Sequence, residues 1–361
     1  MKRRLMRVIM GIMVLASLAG TSAWAGDRGK LIAVCLPSMD NPLMLGIGER
    51  MKRTFPDCNV QVASANSDAN VQVAQIQNFT TMKASLLVVM PVEASSIEDS
   101  LIKARQAGIK VFVTGTKLDD RAYDAMATVN QFLVGAYCAY MTEVWVDKNY
   151  PNATPGSIPA AILTTSLNND GVAKSNGLRS IAEPYLKNQD GKYVNAKNQV
   201  VSAANRLPNP AYCPQLKIVK VVDAEMFQAA QNAMQNILTT NPDVKVVLCC
   251  TSDGAGGVSQ TYMDSGMSAA ELRKIGVFGC GFIGPEADLL MSSAAGKGVF
   301  RGAISFGGGD LPGDMARIAK EVFDGSGYKK DQWDPIGLVQ IKDGKVVKTA
   351  VNNTGVVTAV D

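Results

Sequence analysis

The residue types that most often carry catalysis are sparse in this chain. It has 361 residues and no histidine, which excludes Ser-His-Asp and Cys-His mechanisms and histidine-based zinc sites. The seven cysteines include no Cys-x-x-Cys pair of the kind that holds a metal. Carboxylates and thiols are the remaining candidates, and we find no constellation of them suited to a reaction. The sequence therefore predicts a protein that is not an enzyme and needs no cofactor or metal.

Polar side chains follow the ends of the apolar segments. The first segment, LIAVCL at 31–36, is followed by Pro37, Asp40, Asn41 and Pro42. Open parallel sheets bind ligands at the carboxyl ends of their strands, and carboxylates and amides there offer fixed acceptors and donors to a polyol. The candidate ligand-binding residues are Asp40, Asn41, Met44, Thr116, Lys117, Asn168, Asn169, Asp170, Lys174, Ser252, Asp253 and Phe282, with Phe306 and Asp310 at a predicted chain crossing.

Several of these residues also have a structural interpretation. Asp40 and Asn41 are typical turn residues. Asp170 and the pair Ser252 and Asp253 are of the types that cap helix N-termini. We interpret glycines 307–309 as a flexible crossover, with a backbone cradle for a phosphate as the alternative.

The elements that must position these residues alternate between strand and helix. Predicted strands after the first lie at 60–65, 86–90 and 110–114, and then at 160–165, 216–222, 244–250 and 275–279. Predicted helices lie at 45–55, 71–82 and 96–107, and then at 174–186, 228–239, 257–265 and from about 286. Such alternation is typical of parallel sheets with right-handed crossovers. The sequence thus predicts an α/β protein with two doubly wound lobes.

One segment departs from this alternation. Residues 188–214 are polar, contain Pro208, Pro210 and Pro214, and are long for a loop in a compact domain. We interpret them as a surface hairpin inserted in the second lobe, with a segment that folds over a binding cleft as the alternative.

The N-terminus has the features of a secretory signal. Lys2, Arg3, Arg4 and Arg7 precede an apolar run at 8–19 and an Ala-x-Ala end, which predicts a signal peptide at 1–25 with cleavage after Ala25. The alternative is a membrane anchor, but the run is short of the about 20 apolar residues that a spanning helix needs. The formal net charge of +4 is partly carried by this segment, so it does not indicate a nucleic-acid partner. The odd number of cysteines leaves at least one unpaired within the exported monomer.

Short motifs in a fixed order resemble one family over nearly the whole mature chain. They are Asp40-Asn41-Pro42, LVVMPVE at 87–93, AGIKV at 107–111, Ser252-Asp253 and LPGDM at 311–315. In this order they resemble the periplasmic sugar-binding proteins of ABC importers, of the ribose and galactose type, which have the type I periplasmic binding protein fold. Leu43 and Met44 stand where that family places aromatic rings, so the ligand stays open among sugars, polyols and sugar derivatives.

The resemblance implies an architecture and a motion. It implies an N-terminal lobe at 27–129 with 310–335, a C-terminal lobe at 130–309 with 336–361, and a three-strand hinge between them. Closure of the lobes around a ligand in the cleft is the motion expected of such proteins.

The resemblance also implies a function. We expect a monomeric periplasmic solute-binding protein that captures a small polar ligand and delivers it to an inner-membrane ABC permease. The alternative is a protein of the same fold that reports its ligand to a membrane sensor kinase or chemoreceptor. The sequence alone does not separate the two.

Overall fold

The structure is a computed structural model that describes residues 27–39, 42–115, 117–166, 169–282, 286–306 and 310–360. The described chain divides into two compact units. The first unit comprises the described residues up to Met126 together with Met315–Lys330, and the second comprises the described residues of Ala127–Asp314 and of Asp331–Asp361.

Strands and helices alternate through most of both units. Within the described residues the helices are α1 (Pro42–Thr54), α2 (Ala69–Thr81), α3 (Ala94–Gln106), α4 (Gln131–Asn149), α5 (Asn169–Arg179), α6 (Phe227–Thr240), α7 (Ser252–Met263), α8 (Ala269–Leu272), α9 (Glu286–Ala294) and α10 (Leu311–Asp324). The strands described are β1 (Leu31–Leu36), β2 (Asn59–Ser64), β3 (Leu86–Val89), β4 (Lys110–Gly115), β5 (Ala125–Thr128), β6 (Ile158–Thr164), β7 (Leu216–Asp223), β8 (Val246–Cys249), β9 (Gly276–Cys280), β10 (Phe300–Phe306), β11 (Asp331–Trp333), β12 (Ile336–Lys342) and β13 (Lys345–Val351).

The first sheet is built around β1. Over the described chain its strand order is β11-β5-β4-β3-β1-β2, and β1 pairs in parallel with both β2 and β3. All six residues of β1 are buried, because helices cover both faces of a parallel sheet and its strands become apolar throughout. The prediction that this apolar segment forms the first strand is confirmed.

The second sheet combines parallel strands with an antiparallel hairpin. Its order among the described strands is β13-β12-β10-β9-β8-β6-β7, and β7, β6, β8, β9 and β10 run in parallel. Strand β12 runs antiparallel to β10, and β13 antiparallel to β12. Asp343 and Gly344 join these two strands with φ angles of 50° and 72°, as a two-residue type I′ turn requires. The sequence analysis did not predict this hairpin.

Glycines set the packing of α4 on α5. A Cβ on Gly135 would lie 2.0 Å from the Lys174 carbonyl oxygen, and one on Gly177 would lie 2.1 Å from the Phe132 carbonyl oxygen. Any larger residue at either position would overlap the backbone of the facing helix. The two helices therefore touch backbone to backbone.

Two helices begin five residues before their predicted starts. Helix α7 begins at Ser252 instead of residue 257, because the Thr251 hydroxyl accepts a hydrogen bond from the Gly254 amide at 3.0 Å and caps the first turn. Helix α5 begins at Asn169 instead of residue 174, and a 3₁₀ turn ends it at Ala182 instead of residue 186. Glu183 is extended, as expected for the residue before a proline.

The irregular segment around 188–214 folds on its own unit. Isolated bridges join Tyr185 to Pro208 and Val194 to Val200. Its buried side chains Leu186 and Val194 pack with Val356 of the C-terminal segment. A second short 3₁₀ turn spans Ala203–Asn205.

Candidate functional site

The candidate site of the second unit lies at the carboxyl ends of the parallel strands in its sheet, which together form the carboxyl edge of that sheet. Strands β6 to β10 run in the same direction, so the segments that follow them leave the sheet at a common edge. The predicted residues Asp170, Ser252, Asp253 and Phe282 follow these strands directly. The topology therefore brings them to one edge, as the sequence analysis expected.

Asp253 is held in the first turn of α7. The Thr251 hydroxyl, which caps this helix, also donates a hydrogen bond to the Glu225 carbonyl oxygen and so fixes the end of β8 to the segment after β7. Ser252 and Asp253 are helical residues behind that cap, so their interpretation as the N-cap is wrong. Asp253 is exposed, and a carboxylate in the first turn is favoured by the helix dipole.

Asp170 and Lys174 lie on α5, which is hydrogen-bonded through Ser175 to Thr165, the residue that follows β6. The Ser175 hydroxyl donates to the Thr165 carbonyl oxygen and accepts from the Thr165 amide, both at 3.1 Å. Asp170 and Lys174 are one helical turn apart and share a face of α5. Both are partly buried, and Asp170 lies in the first turn rather than at the cap position.

Asp223, at the end of β7, is a further candidate that was not predicted from the sequence. Its carboxylate accepts hydrogen bonds from the Thr164 hydroxyl at 2.6 Å and from the Ser166 hydroxyl. These bonds, first the one from Ser166, hold the pKa of Asp223 below its usual value, because they stabilise the ionised form. The signal was present in the sequence, since Asp223 follows a predicted strand as the other candidates do.

The predicted phenylalanines lie on two different faces of the second sheet. Along β6 and β8 successive residues alternate between two core clusters, which identifies the clusters with opposite faces. Phe282 packs against one cluster and Phe306 against the other. Phe227, which was not predicted, is 43% exposed. Its ring would lie 3.3 Å from a Cβ placed on Gly256, in the first half of α7. An apolar ring therefore accompanies the polar side chains at this edge.

Asp310 has a structural partner. Its carboxylate accepts a hydrogen bond from the Gly313 amide at 3.1 Å and its carbonyl oxygen accepts one from the Asp314 amide at 3.0 Å. Both contacts are those of a helix N-cap. The residue caps α10 whether or not it also contacts a ligand.

In the first unit, the side-chain amide of Gln72 holds the segment that follows β3. The fully buried Gln72 donates to the Met90 carbonyl oxygen and accepts from the Val92 amide, each at 2.8 Å.

Met44 is partly buried in the first turn of α1, and the Lys117 ammonium lies 3.9 Å from a carboxylate oxygen of Asp120. The predicted site residues Asp40, Asn41, Thr116 and Asn168, and the glycines at 307–309, lie outside the described residues.

No group of three or more cysteine or carboxylate side chains in the described residues is placed to hold a metal ion. In the same part of the chain, no helix combines the length and the apolar character needed to cross a membrane.

The sequence matches a known family. Residues 32–327 match the family model described as the periplasmic binding protein domain. The chain therefore belongs to the periplasmic binding protein domain family, which confirms the resemblance stated from its motifs. No curated protein matches this sequence significantly.

Solved structures share the fold at low sequence identity. An ABC transporter solute-binding protein from Bacillus halodurans, with bound myo-inositol, superposes with a TM-score of 0.65 at 17% identity, covering 87% of this chain and 96% of that one. An ABC transporter periplasmic solute-binding protein from Actinobacillus succinogenes, with bound D-allose, gives 0.64 at 19% identity, with coverages of 86% and 97%. The fructose-binding periplasmic domain of a hybrid two-component system gives 0.64 at 15% identity, with coverages of 87% and 92%. The predicted α/β fold class is confirmed by these likenesses.

Proposed function

We propose that the protein is the periplasmic solute-binding component of an ABC importer and that it captures a sugar, a polyol or a sugar derivative. The observation that carries the proposal is the common edge of the second sheet, where Asp170, Asp223 and Asp253 follow parallel strands of a periplasmic binding protein. Ligands bind such sheets at this edge. Ligand-induced closure of the two predicted lobes about their hinge is part of the proposal.

The chemistry of this edge suits hydroxyl groups. Ionised carboxylates accept hydrogen bonds from hydroxyls with about twice the strength of neutral acceptors, and hydrogen bonds from Ser166 and Thr164 lower the pKa of Asp223 further. Lys174 supplies a charged donor. The solved relatives from Bacillus halodurans and Actinobacillus succinogenes hold myo-inositol and D-allose, which supports a polyhydroxylated ligand here.

The proposal includes the compartment and the partner. The signal at 1–25 would direct export, and the mature chain would deliver its ligand as a monomer to an inner-membrane permease. N-terminal sequencing of the exported protein should find Gly26 as the first residue. Recovery of the protein with Met1 intact would contradict export with cleavage.

Ligand sensing is the second candidate function. One solved relative is the fructose-binding periplasmic domain of a hybrid two-component system, so this fold also occurs in sensors. Genes for a permease and an ATPase beside this gene would favour import, and a sensor kinase gene in that position would favour sensing.

The experiment that tests the binding function is a thermal shift screen of sugars, polyols, sugar acids and nucleosides with the mature protein. A ligand present at about 100 times its dissociation constant stabilises the folded state by about 2.7 kcal/mol. We expect at least one sugar or polyol to raise the melting temperature. A panel in which none does so would contradict the proposal.

A matched pair of variants locates the site. Asp253 and Asp264 are exposed carboxylates at the beginning and just past the end of α7. We expect Asp253→Asn to reduce the ligand-induced shift and Asp264→Asn to leave it unchanged. Equal shifts in the two variants would place the ligand elsewhere.

A further inference from the structure

Two buried thiols meet between α4 and the end of β9. The Cys280 sulfur lies 3.9 Å from the Val134 carbonyl oxygen, one turn before Cys138 on α4, so the two thiols are neighbours in the core. Cys138 is 0% and Cys280 3% exposed, and both belong to the same core cluster. All seven cysteines are free thiols in the structure.

A third thiol lies near this pair. Cys249 pairs in register with Gly279, so Cys250 stands beside Cys280 on the neighbouring strand. Because side chains alternate along a strand, Cys249 faces the other core cluster while Cys250 faces the cluster of Cys138 and Cys280. Cys250 is thus a nearby competitor for either thiol.

We propose that Cys138 and Cys280 form a disulfide in an oxidising compartment, and that this bond fixes the end of β9 to α4. The inference rests on the export stated in the proposed function. The two thiols lose two protons and two electrons as the S–S bond forms, and a disulfide-bearing oxidant of the thiol-exchange class takes them up and becomes a pair of thiols.

Burial determines when this reaction takes place. Burial raises the pKa of the Cys138 thiol well above its ordinary value, and thiol exchange proceeds through the thiolate. The folded core therefore protects the pair from exchange, so the bond forms during folding, before α4 covers β9. Once formed and buried, it resists reductants for the same reason.

The bond has a consequence for the candidate site. Cys280 is the last residue of β9 and is followed by Gly281 and Phe282 at the carboxyl edge of the sheet. A covalent link at this position limits the movement of the segment that carries Phe282. Loss of the bond should therefore weaken ligand binding at this edge as well as the fold.

The test counts the free thiols of the full mature chain after refolding in an oxidising glutathione buffer. The refolded protein is unfolded in denaturant in the presence of an alkylating reagent, so that every free thiol, buried or exposed, is alkylated and counted. Seven cysteines less the two in the bond leave five free thiols. In Cys280→Ser and in Cys138→Ser the partner is released, so the count rises to six although a cysteine has been removed. In the control Cys249→Ser it falls to four.

Other outcomes overturn the inference. Seven thiols in the refolded wild type, or a count that rises in Cys250→Ser instead of Cys138→Ser, would exclude the proposed pair. Non-reducing peptide mapping of the wild type gives the same decision without any variant, because the two peptides must appear as one species lacking two hydrogens. Refolding in a glutathione buffer does not depend on export or ligand binding, so failure of the bond is distinguishable from failure of the proposed function.

Discussion

The helices of the two units pack in different ways. In the first unit α2 and α3 contribute Ile76, Phe79, Ile97 and Leu101 to one core cluster, so side chains separate the two helices. In the second unit α4 meets α5 at Gly135 and Gly177, where backbone atoms are in contact. Helix α7 repeats this arrangement, since a Cβ on Gly257 would lie 2.2 Å from the Phe227 carbonyl oxygen.

This difference bears on the candidate site. The helices in glycine contact, α5 and α7, carry Asp170 and Asp253 in their first turns. Packed side chains adjust to a substitution by changing rotamer or by relaxing into a cavity, whereas two backbones in contact do not. The second unit thus places its candidate binding residues Asp170 and Asp253 on helices with little freedom to shift.

The largest expected effect comes from adding one methyl group to the contact of α4 with α5. Gly177→Ala places a Cβ 2.1 Å from the Phe132 carbonyl oxygen, and we expect a loss of at least about 3 kcal/mol in unfolding free energy. Urea denaturation followed by far-ultraviolet circular dichroism, which reports the helices of both units, measures it.

The matched control is in the first unit. Gly48 lies inside α1, and a Cβ there would be 3.3 Å from a Val62 methyl group, which is flexible. Alanine also gains about 1 kcal/mol of helix propensity, so Gly48→Ala should change the stability by less than about 1 kcal/mol. Similar losses in both variants would remove the distinction between the two kinds of packing.

The second prediction concerns the side-chain packing of α2 on α3. Leu101 is fully buried, and Leu101→Ala should cost about 3 kcal/mol through lost burial and a cavity. Leu101→Met conserves the volume and should cost less than about 1.5 kcal/mol. A methionine variant as unstable as the alanine variant, in the same urea experiment, would show that this core does not adjust.

The third prediction addresses the beginning of α2. The Asp68 carboxylate accepts hydrogen bonds from the Asn70 and Val71 amides. Asp68→Ala should lower the unfolding free energy by about 1 kcal/mol, and Asp68→Asn should retain most of it. Thermal melting of the two variants measures the difference, and an alanine variant as stable as the wild type would show that the cap contributes nothing.

The smallest expected effect is a pH dependence of the unfolding free energy, which arises at Glu143 on α4. Burial first, and then the neighbouring Asp147, raise the pKa of Glu143 from its ordinary 4.5 to about 7. The folded state therefore holds the proton more tightly than the unfolded chain, so this stabilisation is complete below pH 4.5 and is lost as the pH rises to about 7.

Because Glu143 is only partly buried, we expect the loss between these two pH values to be below about 1 kcal/mol. Glu143→Gln keeps the shape of the side chain and cannot ionise, so the stability of that variant should fall less between pH 5 and pH 8. Parallel pH profiles for the variant and the wild type would contradict the raised pKa.

Much of the fold follows from patterns that neighbouring residues share. Each predicted strand from 60–65 to 275–279 is present in the structure, because an apolar run that ends at a turn is a local signal. The β12 to β13 hairpin and the early starts of α5 and α7 were missed. The cap that begins α7 joins Thr251 to Gly254 and Glu225, and the periodicity of apolar residues carries no information about such hydrogen bonds.

The candidate site was predictable in position and only partly in composition. The rule that ligands bind at strand ends selected Asp170, Asp253 and Phe282, and it applies equally to Asp223. What the rule does not give is the partner of each side chain: the hydroxyls that donate to Asp223 come from the end of a different strand.

The sequence by itself determined the class of the protein, the alternation of strands and helices, and the segments that follow the carboxyl ends of the strands. The tertiary structure decided which strand is outermost in each sheet, which glycines bring helices into contact, and which thiols and carboxylates have partners. The physical reason is distance along the chain. Hydrophobic periodicity, turns and caps act between near neighbours, whereas the contacts of Gly135 with α5 and of Cys138 with Cys280 join residues that only the folded chain brings together.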